Sequence, residues 1–231
     1  MRVTTSITTF LLAGAGLWLR AQTPNASKEV PGEVPGKDAP VRAVGLPARA
    51  TPGDYQYRAQ AGTLTVCAEF MGHGVPTGEG GPYSTENYVV VEAALFGPPN
   101  TKTQLSFRDF SLRINGKKQP VPSQPYVTVF PNLKDPEWEP LASERNLAET
   151  SISGAGGTQS DRTKSVPKMP MELRHVMEQR VLRASLSEGE RALPQAGLLF
   201  FEWHGETKGI RSMELLYNGA TGKAALTLHQ P

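Results

Sequence analysis

Alternation of apolar and polar residues predicts several short β-strands in this chain. Residues 64–71, LTVCAEFM, place Leu64, Val66 and Phe70 on one side and other residues between them, which is the pattern of a half-buried strand. Residues 88–96, YVVVEAALF, are almost wholly apolar and rich in β-branched side chains. That composition is typical of a central strand that is covered on both faces.

Residues 104–114, QLSFRDFSLRI, change their apolar phase at Arg108–Asp109. Because a slip of one residue exchanges the two faces of a strand, the change predicts a bulge or a break between two strands. Asn115–Gly116 follows, and this pair predicts a turn in which both residues have positive φ. Residues 124–130, QPYVTVF, and 197–203, GLLFFEW, predict further strands.

The end of the chain predicts a hairpin, and a single helix precedes it. SMELLY and KAALTLHQ flank the turn NGATG, with Ala224, Leu226 and Leu228 facing inward. A helix is predicted over 169–184, where Pro170 suits the first turn. Its expected apolar stripe contains four residues, Leu173, Val176, Met177 and Val181. Seven to nine short strands with one short helical excursion predict a mainly β fold, an antiparallel β-sandwich.

Two stretches carry a resemblance to a known fold family. NYVVVEAALFG followed by LSFRDFSLRINGKKQPV resembles the core of the immunoglobulin-like sandwich found in many uncharacterised exported bacterial proteins. The ending, GLLFFEW with SMELLYNGATGKAALTL, is similar to the final strands of that domain. The resemblance implies an immunoglobulin-like β-sandwich over residues 54–231 and a cell-envelope setting, and it carries over no catalytic residues. The chain differs from antibody-type domains because it lacks their paired cysteines.

The N-terminal part predicts export. Residues 1–21 combine Arg2, an uncharged apolar run and a small residue at Ala21, which is the pattern of a secretory signal peptide. Residues 22–53 are rich in proline and poor in large side chains, so we predict a disordered linker. The expected location is the periplasm or the extracellular space, with an anchored protein as the alternative if the signal peptide is retained. No membrane span is expected after cleavage.

Charge and composition narrow the classes of partner. The chain has 24 Lys and Arg residues against 22 Asp and Glu residues, and removal of residues 1–21 leaves equal numbers because Arg2 and Arg20 are lost. A net charge near zero gives no general attraction to nucleic acid. The single cysteine, Cys67, excludes an intramolecular disulfide framework.

One pattern of residues suggests a metal site. Cys67, Glu69, Met71 and His73 alternate along one predicted strand and would project from one face. Thiolate, thioether and imidazole groups suit copper(I). A periplasmic copper-binding protein that uses Cys67, Met71 and His73 is therefore the alternative hypothesis. A separate group lies around the predicted helix start, namely Met169, Met171, His175 and Met177.

The preferred hypothesis is a non-enzymatic binding or structural module of the bacterial cell envelope, without a cofactor. The sequence contains no G-x-S-x-G or H-E-x-x-H motif, and its Gly-rich run at 72–81 lacks the Lys–Ser/Thr ending of a phosphate loop. An enzyme such as a hydrolase stays open as a third hypothesis. The partner is expected to be an envelope protein or polymer that contacts the long loops 72–86 and 139–168. Within the second loop, residues 151–168 are predicted to be mobile.

Overall fold

The described part of the chain is mainly β, with antiparallel sheets, as predicted. The computed structural model describes residues 43–78, 80–138 and 169–229. The predicted signal peptide at 1–21, the linker residues 22–42 and the predicted mobile loop at 151–168 lie outside these ranges. Among the described helices, none is both long enough and apolar enough to cross a membrane.

Thirteen strands and one α-helix make up the regular structure of the described residues. The helix, α1, spans Met171–Ala184, close to its predicted bounds. The strands are β1 (Tyr57–Ala61), β2 (Leu64–Gly72), β3 (Gly74–Val75), β4 (Tyr83–Thr85), β5 (Tyr88–Phe96), β6 (Lys102–Leu105), β7 (Phe110–Ile114), β8 (Val121–Gln124), β9 (Leu133–Lys134), β10 (Gly189–Ala192), β11 (Gln195–Glu202), β12 (Met213–Gly219) and β13 (Gly222–Leu228).

Eight of these strands form one antiparallel sheet that curls toward a barrel. Their order is β1-β2-β5-β11-β8-β7-β12-β13. The two edges of the sheet meet at Tyr57 and His229. The Tyr57 hydroxyl donates a hydrogen bond to the carbonyl oxygen of His229 at 3.3 Å and accepts one from the His229 amide at 2.9 Å. A Cβ atom on Gly222 would lie 2.9 Å from the carbonyl carbon of Ala61. Strands that are far apart in sequence are thus joined through the side chain of one edge residue.

The central strand β5 is buried on both faces, as its composition predicts. Its inner face, with Val91 and Leu95, packs in the main core against Leu199 and Phe201 of β11. On the outer face, Val90 and β11 residues Leu198 and Phe200 pack against α1. The buried side chains of α1 are Met177, Val181 and Ala184.

The predicted stripe of α1 is only half correct. Met177 and Val181 are buried, but Leu173 and Val176 are 51% and 46% exposed. The helix contacts the sheet through Met177, Val181 and Ala184, which lie on one face. Val176 lies about 100° around the helix from Met177 and is off this face. Leu173 lies on the same face one turn before Met177, so its exposure shows that the contact with the sheet begins only at Met177.

Several local predictions are confirmed, and one is wrong. A 3-10 turn at Phe107–Asp109 separates β6 from β7 where the apolar phase changes. Asn115 and Gly116 have φ of 53° and 65°. The closing hairpin is β12 paired with β13. Residues 124–130, in contrast, do not form a strand of their own: Gln124 ends β8, and the chain then enters two 3-10 turns, Tyr126–Thr128 and Phe130–Asn132. Pro125 and Pro131 lack the amide hydrogens that a strand ladder would need.

The end of the predicted linker is part of the folded domain. The amide of Leu46 donates to the carbonyl of Ala196 at 2.9 Å, and the amide of Gly45 donates to the carbonyl of Arg183 at 2.9 Å. Leu46 and Ala48 also pack on a small apolar cluster of the outer face. The ordered domain therefore begins before residue 54, because this segment, residues 43–55, gains hydrogen bonds and apolar contacts. We call it the N-terminal strap.

Candidate functional site

A polar cleft opens where the end of β2, strands β4 and β9, and the loop after β11 meet. It has a volume of about 600 Å³ and is lined by residues 73, 84–86, 134 and 204–208. An adjoining hollow of about 390 Å³ shares His204 and Gly205 with it and adds Trp203, Lys117 and Glu202. Part of the predicted contact loop, 72–86, thus lines the cleft, whereas the other predicted loop, 139–168, lies outside the described residues.

A β-bulge turns the chain into this cleft. Phe70 pairs with Val91 and Gly72 pairs with Val90, so Met71 is an extra residue in β2. Gly72 has a φ of +63°, a backbone conformation that glycine adopts at little cost. The bulge breaks the alternation of side chains that the sequence predicts from Cys67 to His73.

His73 joins two walls of the polar cleft. Its Nδ1 atom lies 2.7 Å from the carbonyl oxygen of Tyr88, and its Nε2 atom lies 3.1 Å from the carbonyl oxygen of Gly205. The ring therefore connects the start of β5 to the loop after β11. In this arrangement both ring nitrogens face backbone carbonyl groups.

Two further side chains fix the loop after β11. The Trp203 indole donates to the carbonyl of Glu206 at 3.4 Å. Asn115 donates to the carbonyl of Gly209 at 2.9 Å and accepts from the amide of Arg211 at 2.6 Å. Because these bonds tie the loop at several points, its cleft-facing residues are held in place before any ligand arrives.

Thr85 contributes a hydroxyl group with unused hydrogen-bonding capacity. The residue is 1% exposed, and its Oγ1 atom has no hydrogen-bond partner among the described residues. Its amide donates to the carbonyl of His73 at 3.0 Å, which fixes the residue beside the cleft. Leaving a buried hydroxyl unpaired costs about 1–3 kcal/mol. Such a group calls for a bound partner, either a ligand or water.

The charges around the cleft are mixed. Lys134 forms an ion pair with Glu86, and His204 lies 2.7 Å from Glu202. Lys208 and Glu206 also line the space. The lining therefore offers both donors and acceptors without an excess of either charge, a combination that suits an uncharged ligand rich in hydroxyl groups better than a strongly charged one.

Of the predicted copper ligands, only His73 lines the cleft. Cys67 is buried under the N-terminal strap, with its Sγ atom 3.8 Å from the carbonyl oxygen of Pro52. Burial raises the pKa of the Cys67 thiol to about 11, and the charge of Arg58 only partly opposes this. Met71 packs against the outer apolar cluster that includes Val90.

The structure thus gives Cys67, Met71 and His73 different surroundings. Across residues 43–78, 80–138 and 169–229, no three His, Cys, Asp or Glu side chains group as a metal site. The second predicted group is also spread out, since Met171 is 77% exposed and Met177 is buried. Copper binding stays a prediction without support from these contacts.

An ionic cluster that the sequence did not reveal fastens the N-terminal strap. Glu69 and Glu92 lie opposite each other on β2 and β5. Arg49 pairs with Glu69, and its guanidinium nitrogen lies 3.6 Å from a Glu92 carboxylate oxygen. The same guanidinium stacks 4.5 Å from the centre of the Tyr55 ring. Burial raises the pKa of Glu92, while Arg49 and a hydrogen bond from Tyr55 act in the opposite direction.

The sequence also did not single out Thr85 or Trp203. A lone Glu92 in an apolar strand was a visible signal of a buried ionic cluster, but its partner Arg49 lies in a proline-rich segment.

Comparisons of the chain with protein-family models, with curated proteins and with solved structures gave no match. The polar cleft therefore has to be interpreted from its own chemistry.

Proposed function

We propose that this chain is an exported, non-enzymatic binding module of the cell envelope whose polar cleft binds the uncharged, hydroxyl-rich glycan strands of peptidoglycan. The observation that carries the proposal is the buried and unpartnered Thr85 hydroxyl at a cleft that is lined by both donors and acceptors. A sugar hydroxyl can both donate to and accept from such groups.

The adjoining hollow adds an aromatic surface to this site. Trp203 lines the hollow, and the Lys117 ammonium lies 5.7 Å from the centre of the Trp203 ring. An indole combines a large apolar face with a polar N–H group, and this combination is common where one side of a ligand is apolar and the other is wet. A pyranose ring has this character, with C–H groups on its faces and hydroxyls at its rim.

Export and the absence of catalysis rest on the sequence. Residues 1–21 have the pattern of a signal peptide, and the catalytic motifs considered above do not occur in the chain. We also propose an immunoglobulin-like sandwich as the fold type, supported by antiparallel strands of which β2, β5 and β11 share one main core with β7, β12 and β13. None of the described contacts favours the copper alternative.

Co-sedimentation with purified peptidoglycan sacculi tests the proposal. We expect the protein isolated from its envelope fraction to pellet with sacculi, and the Thr85→Val variant to stay largely in the supernatant. Ser123→Ala is the matched control, because Ser123 also has a buried hydroxyl without a partner but does not line the cleft. Failure of the wild-type protein to pellet, or equal pelleting of Thr85→Val, would contradict the proposal.

A further inference from the structure

A second cavity lies on the side of the sheet, apart from the polar cleft. It has a volume of about 410 Å³, within the range of small-molecule sites. We call it the side groove. Its walls include five apolar side chains and one cation, namely Phe107, Tyr126, Leu186, Leu198, Phe200 and Arg191.

The side groove exists because β11 is only partly paired on one edge. β11 pairs with β8 at Phe200 and Phe201. Toward its start, the same edge forms isolated bridges with Leu46 and Ser185 instead. The 3-10 turn at Tyr126–Thr128 and the segment after α1 flank the resulting gap. Leu198 and Phe200 of β11 form the buried back of this space, and each is 1% exposed.

Arg191 gives the groove a specific chemistry. It lies half-buried on β10, opposite Thr103 of β6. Within the described residues its side chain has neither an ion pair nor a hydrogen bond. Glu188 also lines the groove, but among the described residues it forms no ion pair with Arg191 and accepts a hydrogen bond from the Ser106 hydroxyl at 3.2 Å. A half-buried guanidinium without a partner is complementary to a carboxylate, which it can bind through two parallel hydrogen bonds.

We propose that the side groove binds a small amphiphile with an apolar body and one carboxylate, such as a medium-chain fatty acid. The apolar body would pack on Phe107, Tyr126 and Val127, which line the groove and are accessible, and the carboxylate would pair with Arg191. Because none of these residues lines the polar cleft, this activity is independent of the proposed polymer binding.

Calorimetric titrations with octanoate and 1-octanol test this site, since the two probes have the same chain length and only octanoate is charged. We expect the wild-type protein to bind octanoate at least tenfold more tightly than 1-octanol. Arg191→Gln should abolish that preference, and Arg191→Lys should keep part of it. Arg211→Gln is the control, because Arg211 is exposed and does not line the groove.

Two further results decide the location of the site. Thr85→Val should bind octanoate as the wild type does, which separates the side groove from the polar cleft. No octanoate binding by the wild-type protein, an unchanged preference in Arg191→Gln, or an equal loss in Thr85→Val and Arg191→Gln would each overturn the proposal.

Discussion

Replacement of Thr85 by valine is expected to make the protein more stable and less able to bind. Valine has nearly the shape of threonine and also favours strands, so it fits the position in β4 without the hydroxyl. In the ligand-free protein that hydroxyl is buried and unpartnered within the described residues. Its removal therefore relieves a desolvation cost and breaks no hydrogen bond.

The size of the gain follows from the cost of an unpaired buried hydroxyl, which is about 1–3 kcal/mol. We expect the free energy of unfolding to rise by about 1 kcal/mol, at the lower end of that range because ordered water can partly satisfy the group. For a domain of this size, such a change raises the Tm by about 2–4 °C.

Urea unfolding followed by circular dichroism measures the stability, and co-sedimentation with sacculi measures the binding. Ser123→Ala should also gain stability but keep its binding, because only Thr85 lies at the cleft. A loss of stability in Thr85→Val would show that the hydroxyl has a strong partner in the free protein, and it would refute the reasoning.

Three other predictions concern the N-terminal strap and the closure of the sheet. Burial raises the pKa of Cys67 to about 11, so about one thiol in a thousand is ionised at pH 8. Iodoacetamide should therefore label Cys67 in the native protein at least a hundredfold more slowly than in the urea-unfolded protein. Equal labelling rates would contradict this prediction. Burial also raises the pKa of Glu92 above the ordinary carboxyl value of 4.5. Glu92 therefore keeps its proton to higher pH in the native protein than in the unfolded chain, and the native protein loses stability as the pH rises above 4.5. The difference in free energy of unfolding between Glu92→Gln and the wild type should therefore favour the variant more at pH 7 than at pH 4. A difference that favours the variant more at pH 4 would contradict the predicted direction. Tyr57→Phe should lose about 1 kcal/mol and speed hydrogen exchange at the His229 amide, whereas unchanged exchange would show that the sheet edges meet without this hydroxyl.

Local features of the fold could be predicted because their causes are local. The period of two in β2, the composition of β5 and the phase change at Arg108–Asp109 each depend on neighbouring residues. The error at 124–130 was also local, since Pro125 within the segment and Pro131 directly after it outweigh the β-branched residues between them. In contrast, the contact between Tyr57 and His229 joins residues 172 positions apart, so no sequence pattern could show that the two sheet edges meet.

The candidate site was only partly predictable for the same reason. Loop 72–86 was predicted to be a contact surface, and part of it lines the polar cleft. His73 was singled out as a metal ligand, but the bulge at Met71 and the loop after β11 give it two carbonyl partners instead. Thr85 matters because its buried hydroxyl has no hydrogen-bond partner among the described residues, and the sequence cannot show this for a threonine in a strand.

Nuclear magnetic resonance with soluble glycan fragments, released from sacculi by a muramidase, tests polymer binding by the cleft most directly. We predict saturable shifts of the Trp203 indole signal and of the Thr85 and Gly205 amides, with no shift of the Arg191 amide in the side groove. The same titration of Thr85→Val should leave the Trp203 indole signal almost unmoved. Absence of shifts at the cleft in the wild-type protein, or saturable shifts only outside it, would contradict the account.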